Sequence, residues 1–281
     1  MLTIDLETFV WERPKSRRKG YAWQGSGDDM QLAPVPGVRF EKYRLERKKS
    51  AASAAGLFRT FADVEETPGA ILEFANRFGS LRERLEFCPL SVWKQQIALM
   101  RQQVQLQDAL DAGDWKAVRD NLARFRFDVP SVMAVQEKLA GGKMVLPDEL
   151  VNAAVSRLVF PVVNTLKYLE WEGVLDKKTV QLRLKHPDLQ NFLWFQFGHA
   201  LIGGLGFDQC RVCKTWFRID PKVSRADRIT CSDSCRFQRY RQRMRRAAEL
   251  NAQGWPVKKI AKELATDTNT IKTWIQKGSA P

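Results

Sequence analysis

Apolar residues recur at helical spacing through the middle of the chain. Trp93, Ile97 and Val104 fall on one face of a helix. Serine is a frequent N-cap and glycine a frequent stop, so we predict that this helix begins at Ser91 and ends at Gly113.

Helix signals of the same kind dominate between about residues 57 and 203. Proline suits the first helical turn, so Thr67-Pro68 predicts a helix start. A strongly apolar helix is predicted between Asp148 and Leu169, bent or interrupted at Pro161. A short strand is predicted over residues 180–184. The predicted fold class is therefore mainly α.

The first 56 residues lack this helical pattern. Apolar positions over residues 38–45 predict a strand or two, and basic clusters at 17–19 and 47–49 flank a turn region. We predict an extended basic leader over residues 1–56 and a helical body over residues 57–205.

A second amphipathic pattern lies near the carboxy terminus, in PVKKIAKELATDTNTIKTWIQ (256–276). The apolar faces of its two predicted helices consist of Ile260, Ala261, Leu264, Ile271, Trp274 and Ile275. The small side chain of Ala261 allows the two helices to approach closely, and Asp267 is a good N-cap for the second. With a preceding helix that ends at Gly254, this pattern predicts a three-helix, helix-turn-helix unit over residues 248–281.

The outward face of the second helix carries candidate contacts to base edges in the major groove. These residues are Thr268, Asn269, Lys272, Thr273 and Gln276. Asn and Gln can bond adenine edges, while Lys can reach guanine or phosphate. Lys258 and Lys259, at the start of the first helix, are candidate phosphate contacts.

The formal charge of +14 is unevenly distributed. Residues 1–50 hold 11 Lys and Arg against 7 Asp and Glu, and residues 51–205 hold 18 against 18. Residues 206–281 hold 17 against 7. A neutral body with a strongly basic end is typical of a protein that binds phosphate groups through that end.

Four of the five cysteines lie in this basic end, as a CxxC pair (Cys210, Cys213) and a CxxxC pair (Cys231, Cys235). Each pair can bring two thiolates to one ion, and four thiolates complete the tetrahedral coordination of a structural zinc ion. Ser232 is a good N-cap that places Cys235 in the first helical turn, where N–H groups stabilise a thiolate. We predict structural Zn²⁺ in a treble-clef-like finger over residues 206–247. The alternatives are two disulfides, unpaired buried cysteines and an iron–sulfur site.

The stretch 236–246, directly after the last of these cysteines, contains six arginines and no acid. On a helix, one stripe consists of Arg236, Arg239, Arg243 and Arg246. The neighbouring apolar stripe consists of Phe237, Tyr240, Met244 and Ala248. We predict that the apolar stripe docks on the rest of the tail while the arginines face phosphate; a merely solvated basic face is the alternative.

Several function classes are not favoured. No apolar run is long enough to span a membrane, and acids occupy the amino terminus where a signal peptide has basic and apolar residues, so we expect a cytoplasmic protein. The sequence holds two histidines and no phosphate-cradling glycine loop or nucleophile motif, so we do not expect an enzyme. The aromatic helices of the body predict core packing, and an effector or protein partner is expected there.

The helix-turn-helix resembles that of resolvase, invertase and transposase proteins. The matching residues are Gly254, Ile260, Ala261, Leu264, Ile271 and Trp274. Ala265 stands where those proteins usually have a turn glycine, and Thr266 replaces a usual apolar residue.

Residues 210–246 resemble the zinc finger of bacterial CGNR-type transcription regulators. Shared features are the CxxC pair, Phe217, Asp227-Arg228 and the basic helix, although the family's Cys-Gly-Asn-Arg is here Cys-Arg-Phe-Gln. The resemblance implies a zinc finger and a regulator with a helical sensing domain. We therefore predict a transcription regulator that binds double-stranded DNA; the alternatives are an RNA-binding protein and a DNA-binding accessory factor of a recombinase or mobile element.

Overall fold

The computed structural model describes residues 10–16, 20–44, 56–82, 87–124, 128–167, 171–176, 179–184, 188–203, 206–219 and 228–278. The chain separates into two compact units, Met1–Gly206 and Phe207–Pro281. The predicted basic clusters at 17–19 and 47–49 lie outside the described residues. None of the described helices is both long and apolar enough to cross a membrane.

The described residues are mainly helical, as predicted. In the described part of the first unit there are seven α-helices: α1 (Leu57–Ala62), α2 (Pro68–Phe78), α3 (Leu90–Asp111), α4 (Trp115–Arg124), α5 (Pro130–Ala140), α6 (Pro147–Leu166) and α7 (Leu189–Gly203). Three belong to the second unit: α8 (Asp233–Ala252), α9 (Val257–Glu263) and α10 (Thr268–Gly278).

The strands form small sheets. They are β1 (Val10–Pro14), β2 (Tyr21–Gln24), β3 (Gln31–Pro34), β4 (Phe40–Arg44), β5 (Cys88–Pro89), β6 (Trp171–Asp176), β7 (Thr179–Leu184), β8 (Gly206–Gln209) and β9 (Trp216–Ile219). β1 pairs with β4, β2 with β3, β3 with β5, β6 with β7 and β8 with β9. β7 contains the strand predicted over residues 180–184.

Residues 10–16 and 20–44 are folded onto the body, so this part of the predicted extended leader is not separate from it. Trp11 stacks on Phe192 of α7 with ring centroids 4.6 Å apart, and its indole N–H donates to the Phe78 carbonyl at 2.6 Å. The Asn76 side-chain oxygen accepts from the Tyr21 N–H at 2.8 Å. These long-range contacts bury side chains that sequence periodicity does not connect.

The long helix α3 begins one residue earlier than predicted, and Ser91 does not cap it. Its first residue, Leu90, donates its N–H to the Met30 carbonyl at 2.8 Å, beside the pairing of β5 with β3. A backbone group from a distant loop therefore takes the place of the expected serine cap. Thr67 does cap α2, accepting from the Ala70 N–H at 3.3 Å.

The apolar helices α6 and α7 pack against each other. α6 continues through Pro161 without interruption, although a proline inside a helix removes a backbone hydrogen bond and disfavours the preceding turn. A Cβ on Gly198 of α7 would lie 2.5 Å from Val162, which shows how closely the helices approach. Phe192, Trp194 and other aromatic residues of α7 are buried, as the core-packing interpretation predicted.

Candidate metal centre and nucleic-acid interface

The four predicted cysteines converge at one point in the second unit. Their sulfur atoms all lie within 4.8 Å of one another. The Cys231 sulfur is 3.5 Å from that of Cys213 and 3.6 Å from that of Cys235. Thiolates bound tetrahedrally to one zinc ion are separated by about 3.8 Å, given bonds of about 2.3 Å. The residues therefore fit a single metal ion.

The first pair lies on a tight turn between β8 and β9. The Lys214 N–H donates to the Cys210 carbonyl at 2.9 Å, and the Cys210 N–H donates to the Thr215 carbonyl at 3.0 Å. Lys214 adopts a left-handed backbone conformation with φ of 58°. This turn reverses the chain within a few residues, so that both sulfurs of the pair face the same side.

The second pair is placed by the start of α8. Ser232 is its N-cap, as predicted, and its hydroxyl accepts from the Cys235 N–H at 3.3 Å. Cys235 thus lies in the first turn, at the positive end of the helix dipole, where a thiolate is stabilised. The Arg211 N–H donates to the Ile229 carbonyl at 3.1 Å and joins the two cysteine-bearing segments.

Arg228 holds the segment before the second pair in place. Its guanidinium donates to the Thr230 carbonyl at 2.9 Å and to the Cys231 carbonyl at 2.6 Å. It also lies 5.3 Å from the ring centroid of Phe217, which is fully buried. The sequence pointed to Arg228 only through the family resemblance, and its two carbonyl contacts give it a physical role.

Burial raises the pKa values of the cysteine thiols, whereas hydrogen bonds from backbone N–H groups lower the pKa of Cys210. Burial raises the pKa of Cys210, but backbone N–H groups of Cys213, Cys231 and Val212 outweigh it and lower the pKa to about 6. Burial is the main cause that raises the pKa of Cys231 and of Cys235. A metal ion bound here must therefore displace protons from the less acidic thiols.

The second half of α8 packs with α9 and α10 into a three-helix unit. Its buried core consists of Ala247, Leu250, Ile260, Ala261, Ile271 and Trp274. Met244, Trp255, Val257, Leu264 and Ile275 pack against this core. All six predicted apolar positions of α9 and α10 are thus in or against the core. α8 is one continuous helix, so the predicted boundary between residues 247 and 248 falls inside it.

The turn between α9 and α10 has a conformation that glycine favours. Ala265 has a φ of 44° and donates its N–H to the Lys262 carbonyl at 3.2 Å. The Thr266 N–H donates to the Ala261 carbonyl at 3.0 Å. Asp267 caps α10 as predicted, accepting from the Thr270 N–H at 2.8 Å, and the hydrogen bonds from Thr270 lower the pKa of Asp267.

Ala265→Gly should stabilise the three-helix unit by about 0.5–1 kcal/mol. A left-handed alanine costs about 1–2 kcal/mol, and glycine loses part of that gain through its greater freedom in the unfolded chain. Hydrogen exchange of the α10 amides measures the local free energy of unfolding. The matched control is Ala248→Gly inside α8, which should cost about 0.5–1 kcal/mol. A loss of stability in Ala265→Gly equal to the control would contradict this account of the turn.

Arg243, predicted to face phosphate, has its contacts within the three-helix unit. Its guanidinium donates to the carbonyls of Leu264 and Ala265 and lies 5.2 Å from the ring centroid of Trp274. These carbonyls belong to the end of α9 and the following turn, where a cation is favoured. Arg243 therefore fixes α8 to the turn before α10, a tertiary role that helical spacing could not show.

Of the other predicted arginines, Arg236 and Arg246 are exposed. Arg236 pairs with Asp233 at 3.3 Å and Arg246 with Glu249 at 3.1 Å, but both pairs are well exposed, and such pairs are weak. Arg239 is half-buried, and its pKa is lowered by burial and by the charges of Arg243 and Arg211.

Arg211, on the first cysteine turn, is therefore a basic residue near α8 that the predicted stripe omitted. The exposed Arg241 and Arg245 on α8 were omitted as well. The predicted stripe contains only residues on the same face of α8 as Arg236, whereas Arg241 and Arg245 are exposed on other faces of the helix. The basic surface accordingly extends further around α8 than predicted.

The predicted apolar stripe of α8 is only partly buried. Met244 packs against the three-helix core, but the buried residues next to it are Ala247 and Leu250. Phe237 is 57% exposed and Tyr240 is 44% exposed. The buried face of α8 therefore lies in its carboxy-terminal half, and the rings of Phe237 and Tyr240 remain on the surface.

The predicted base-contacting face of α10 is accessible. Asn269, Lys272, Thr273 and Gln276 are exposed, whereas Thr268 is half-buried. Lys258 and Lys259 on α9 are exposed too, with the Lys259 ammonium 3.8 Å from the ring centroid of Trp255.

Comparison with known proteins finds one family model that is similar to the three-helix unit. Residues 242–279 match the family model described as "Putative ATPase subunit of terminase (gpP-like)". The match contains the second half of α8, α9 and α10, well under half of the chain. No curated protein and no solved structure matches the chain. The resemblances to resolvases and to CGNR-type regulators stay predictions.

Proposed function

We propose that this chain is a zinc-dependent protein that binds double-stranded DNA, with α9 and α10 as a helix-turn-helix. The observation that carries the proposal is the division of α10 into two faces. Ile271 and Trp274 are buried in the three-helix core, whereas Asn269, Lys272 and Gln276 are exposed on the opposite side. The 11-residue helix is long enough to lie in the major groove.

The surroundings of α10 supply the phosphate contacts. Lys258 and Lys259 are exposed on the neighbouring α9, and α8 carries arginines whose weak surface pairs can be exchanged for phosphate. Residues 206–281 hold ten more basic than acidic residues. Such a charge steers the unit toward DNA and supports binding that falls as salt rises.

The proposed metal is a structural zinc ion in a treble-clef-like finger. Four thiolates leave no open position for a water molecule, so the ion would support the fold and not catalysis. Sulfur atoms within 4.8 Å of one another leave room for a single ion, which favours zinc over a cluster of several irons. Cys210, Cys213, Cys231 and Cys235 would hold it.

The similarity of residues 242–279 to a terminase subunit supports an association with DNA. It also favours, as a second candidate, a DNA-packaging role over transcription regulation. The matched segment consists of the proposed helix-turn-helix and the helix before it, so it bears on DNA contact and not on ATP hydrolysis.

Selection of duplexes from a random-sequence pool, followed by Asn269→Ala, tests the proposal. If Asn269 reads a base edge, the variant should lose about 1–3 kcal/mol on the selected site and almost nothing on random duplex. Lys258→Ala is the matched control, since loss of a phosphate contact weakens both duplexes equally and lowers the salt slope by about one. Equal losses from Asn269→Ala on both duplexes, or selection of RNA alone from mixed pools, would reject the assignment.

A further inference from the structure

Two exposed aromatic rings interrupt the arginine surface of α8, and neither the metal centre nor the helix-turn-helix requires this exposure. Phe237 is 57% exposed and Tyr240 is 44% exposed. They lie one turn apart, about 5 Å along the helix axis. Apolar surface that is contiguous and rimmed by polar residues is a common feature of binding sites.

Tyr240 is held in a fixed position. Its ring packs edge-on against Trp274 of α10, with centroids 5.5 Å apart and planes at 87°. Its hydroxyl accepts from the Trp274 indole N–H at 3.0 Å. The exposed part of the ring is therefore preorganised, and it adjoins the helix that we propose to read duplex DNA.

Phe237 lies on the same helix, further from the three-helix core. The guanidinium of Arg236 is 5.5 Å from its ring centroid, and Arg241 is exposed one turn later. A partner for this surface must be anionic and must offer flat apolar faces. Nucleic-acid bases on a phosphate backbone have both properties, and a second copy of the same basic face would be repelled.

We propose that Phe237 and Tyr240 stack on unpaired bases, so that the protein prefers duplex DNA that continues into a single-stranded segment. In a fully paired duplex the base faces are covered by their neighbours, whereas an unpaired strand exposes them to aromatic side chains. The arginines of α8 would hold the backbone of that strand while α10 occupies the adjacent duplex. This inference rests on the proposed function.

The test uses the full, zinc-loaded chain and three probes: a mixed-sequence duplex, the same duplex with a single-stranded dT extension, and the dT strand alone. The extension should raise wild-type affinity about 5-fold to 100-fold over the plain duplex. Phe237→Ala should remove this gain and leave duplex affinity within about twofold, while Phe237→Trp, which keeps a stacking ring, should retain it. 2-Aminopurine placed in the extension should lose fluorescence on binding to wild type but not to Phe237→Ala.

Three results would overturn the inference. These are equal wild-type affinity for the plain and extended duplexes, an equal loss on both from Phe237→Ala, and unchanged 2-aminopurine fluorescence. The equal loss would indicate a wedge inserted into paired DNA. Duplex binding without an effect of the extension would reject this inference alone. Binding to none of the probes, or to the dT strand without the duplex, would reject the proposed function.

Discussion

Removal of the metal ion should unfold the cysteine region of the second unit and lower duplex affinity at least tenfold, to about the level of nonspecific contact. β8 and β9 are only four residues each. Among the described residues from Gly206 to Cys235, Phe217 is the one large side chain that is fully buried. So small a core rarely folds without a metal. Structural zinc contributes about 10–16 kcal/mol to such folds, which exceeds any other single interaction in this unit.

The loss should reach the proposed DNA-binding surface through α8. This helix of 20 residues, about 30 Å long, carries the proposed ligand Cys235 in its first turn and ends in the three-helix core. Without the ion, the first turn of α8 and the Arg211 turn lose the link through the cysteines, and the proposed phosphate contact of Arg239 should weaken. The core around Ile260 and Ile271 should survive, because its contacts lie within the three helices.

Metal analysis of protein purified without added zinc should give about one ion per chain. Cys235→Ser should lose the ion and the affinity, as should wild type after chelation. Cys88→Ala is the matched control, because Cys88 is fully buried in the first unit and lies outside the cysteine cluster. A metal-free preparation with full structure and full duplex affinity would show the metal hypothesis to be wrong.

The features that sequence predicted well are local ones. Ligand spacing, the Ser232 cap and the Asp267 cap each depend on residues a few positions apart, so spacing alone placed them. The core of α9 and α10 follows from periodicity, since one face of each short helix is apolar. Even the strained turn was signalled, because Ala265 stands where the resembling family has glycine, and its φ is 44°.

The features that sequence missed depend on contacts between distant segments. The start of α3 depends on the Met30 carbonyl, and the packing of β1 depends on Phe192, far along the chain. Arg243 was assigned to phosphate because helical spacing groups it with Arg239, yet the turn after α9 provides carbonyl acceptors. Periodicity shows which residues share a face, but not what that face meets.

The fragment Gly206–Pro281 should bind duplex DNA within about threefold of the full chain, and residues 1–205 should bind at least about 100-fold more weakly. The second unit contains the cysteine cluster and the whole three-helix core. It holds 17 basic against 7 acidic residues, whereas residues 51–205 hold equal numbers. Beginning at Gly206 keeps all of β8, which pairs with β9.

Both fragments can be titrated against one labelled duplex at a fixed salt concentration, because phosphate contacts make affinity depend strongly on salt. The Gly206–Pro281 fragment must be zinc-loaded, and its Cys235→Ser form serves as the control for a misfolded but equally basic chain. Retention of affinity by that control would mean that charge alone carries the binding. If residues 1–205 instead kept most of the affinity, the basic clusters at 17–19 and 47–49 would become the contact surface, and the second unit would have another partner.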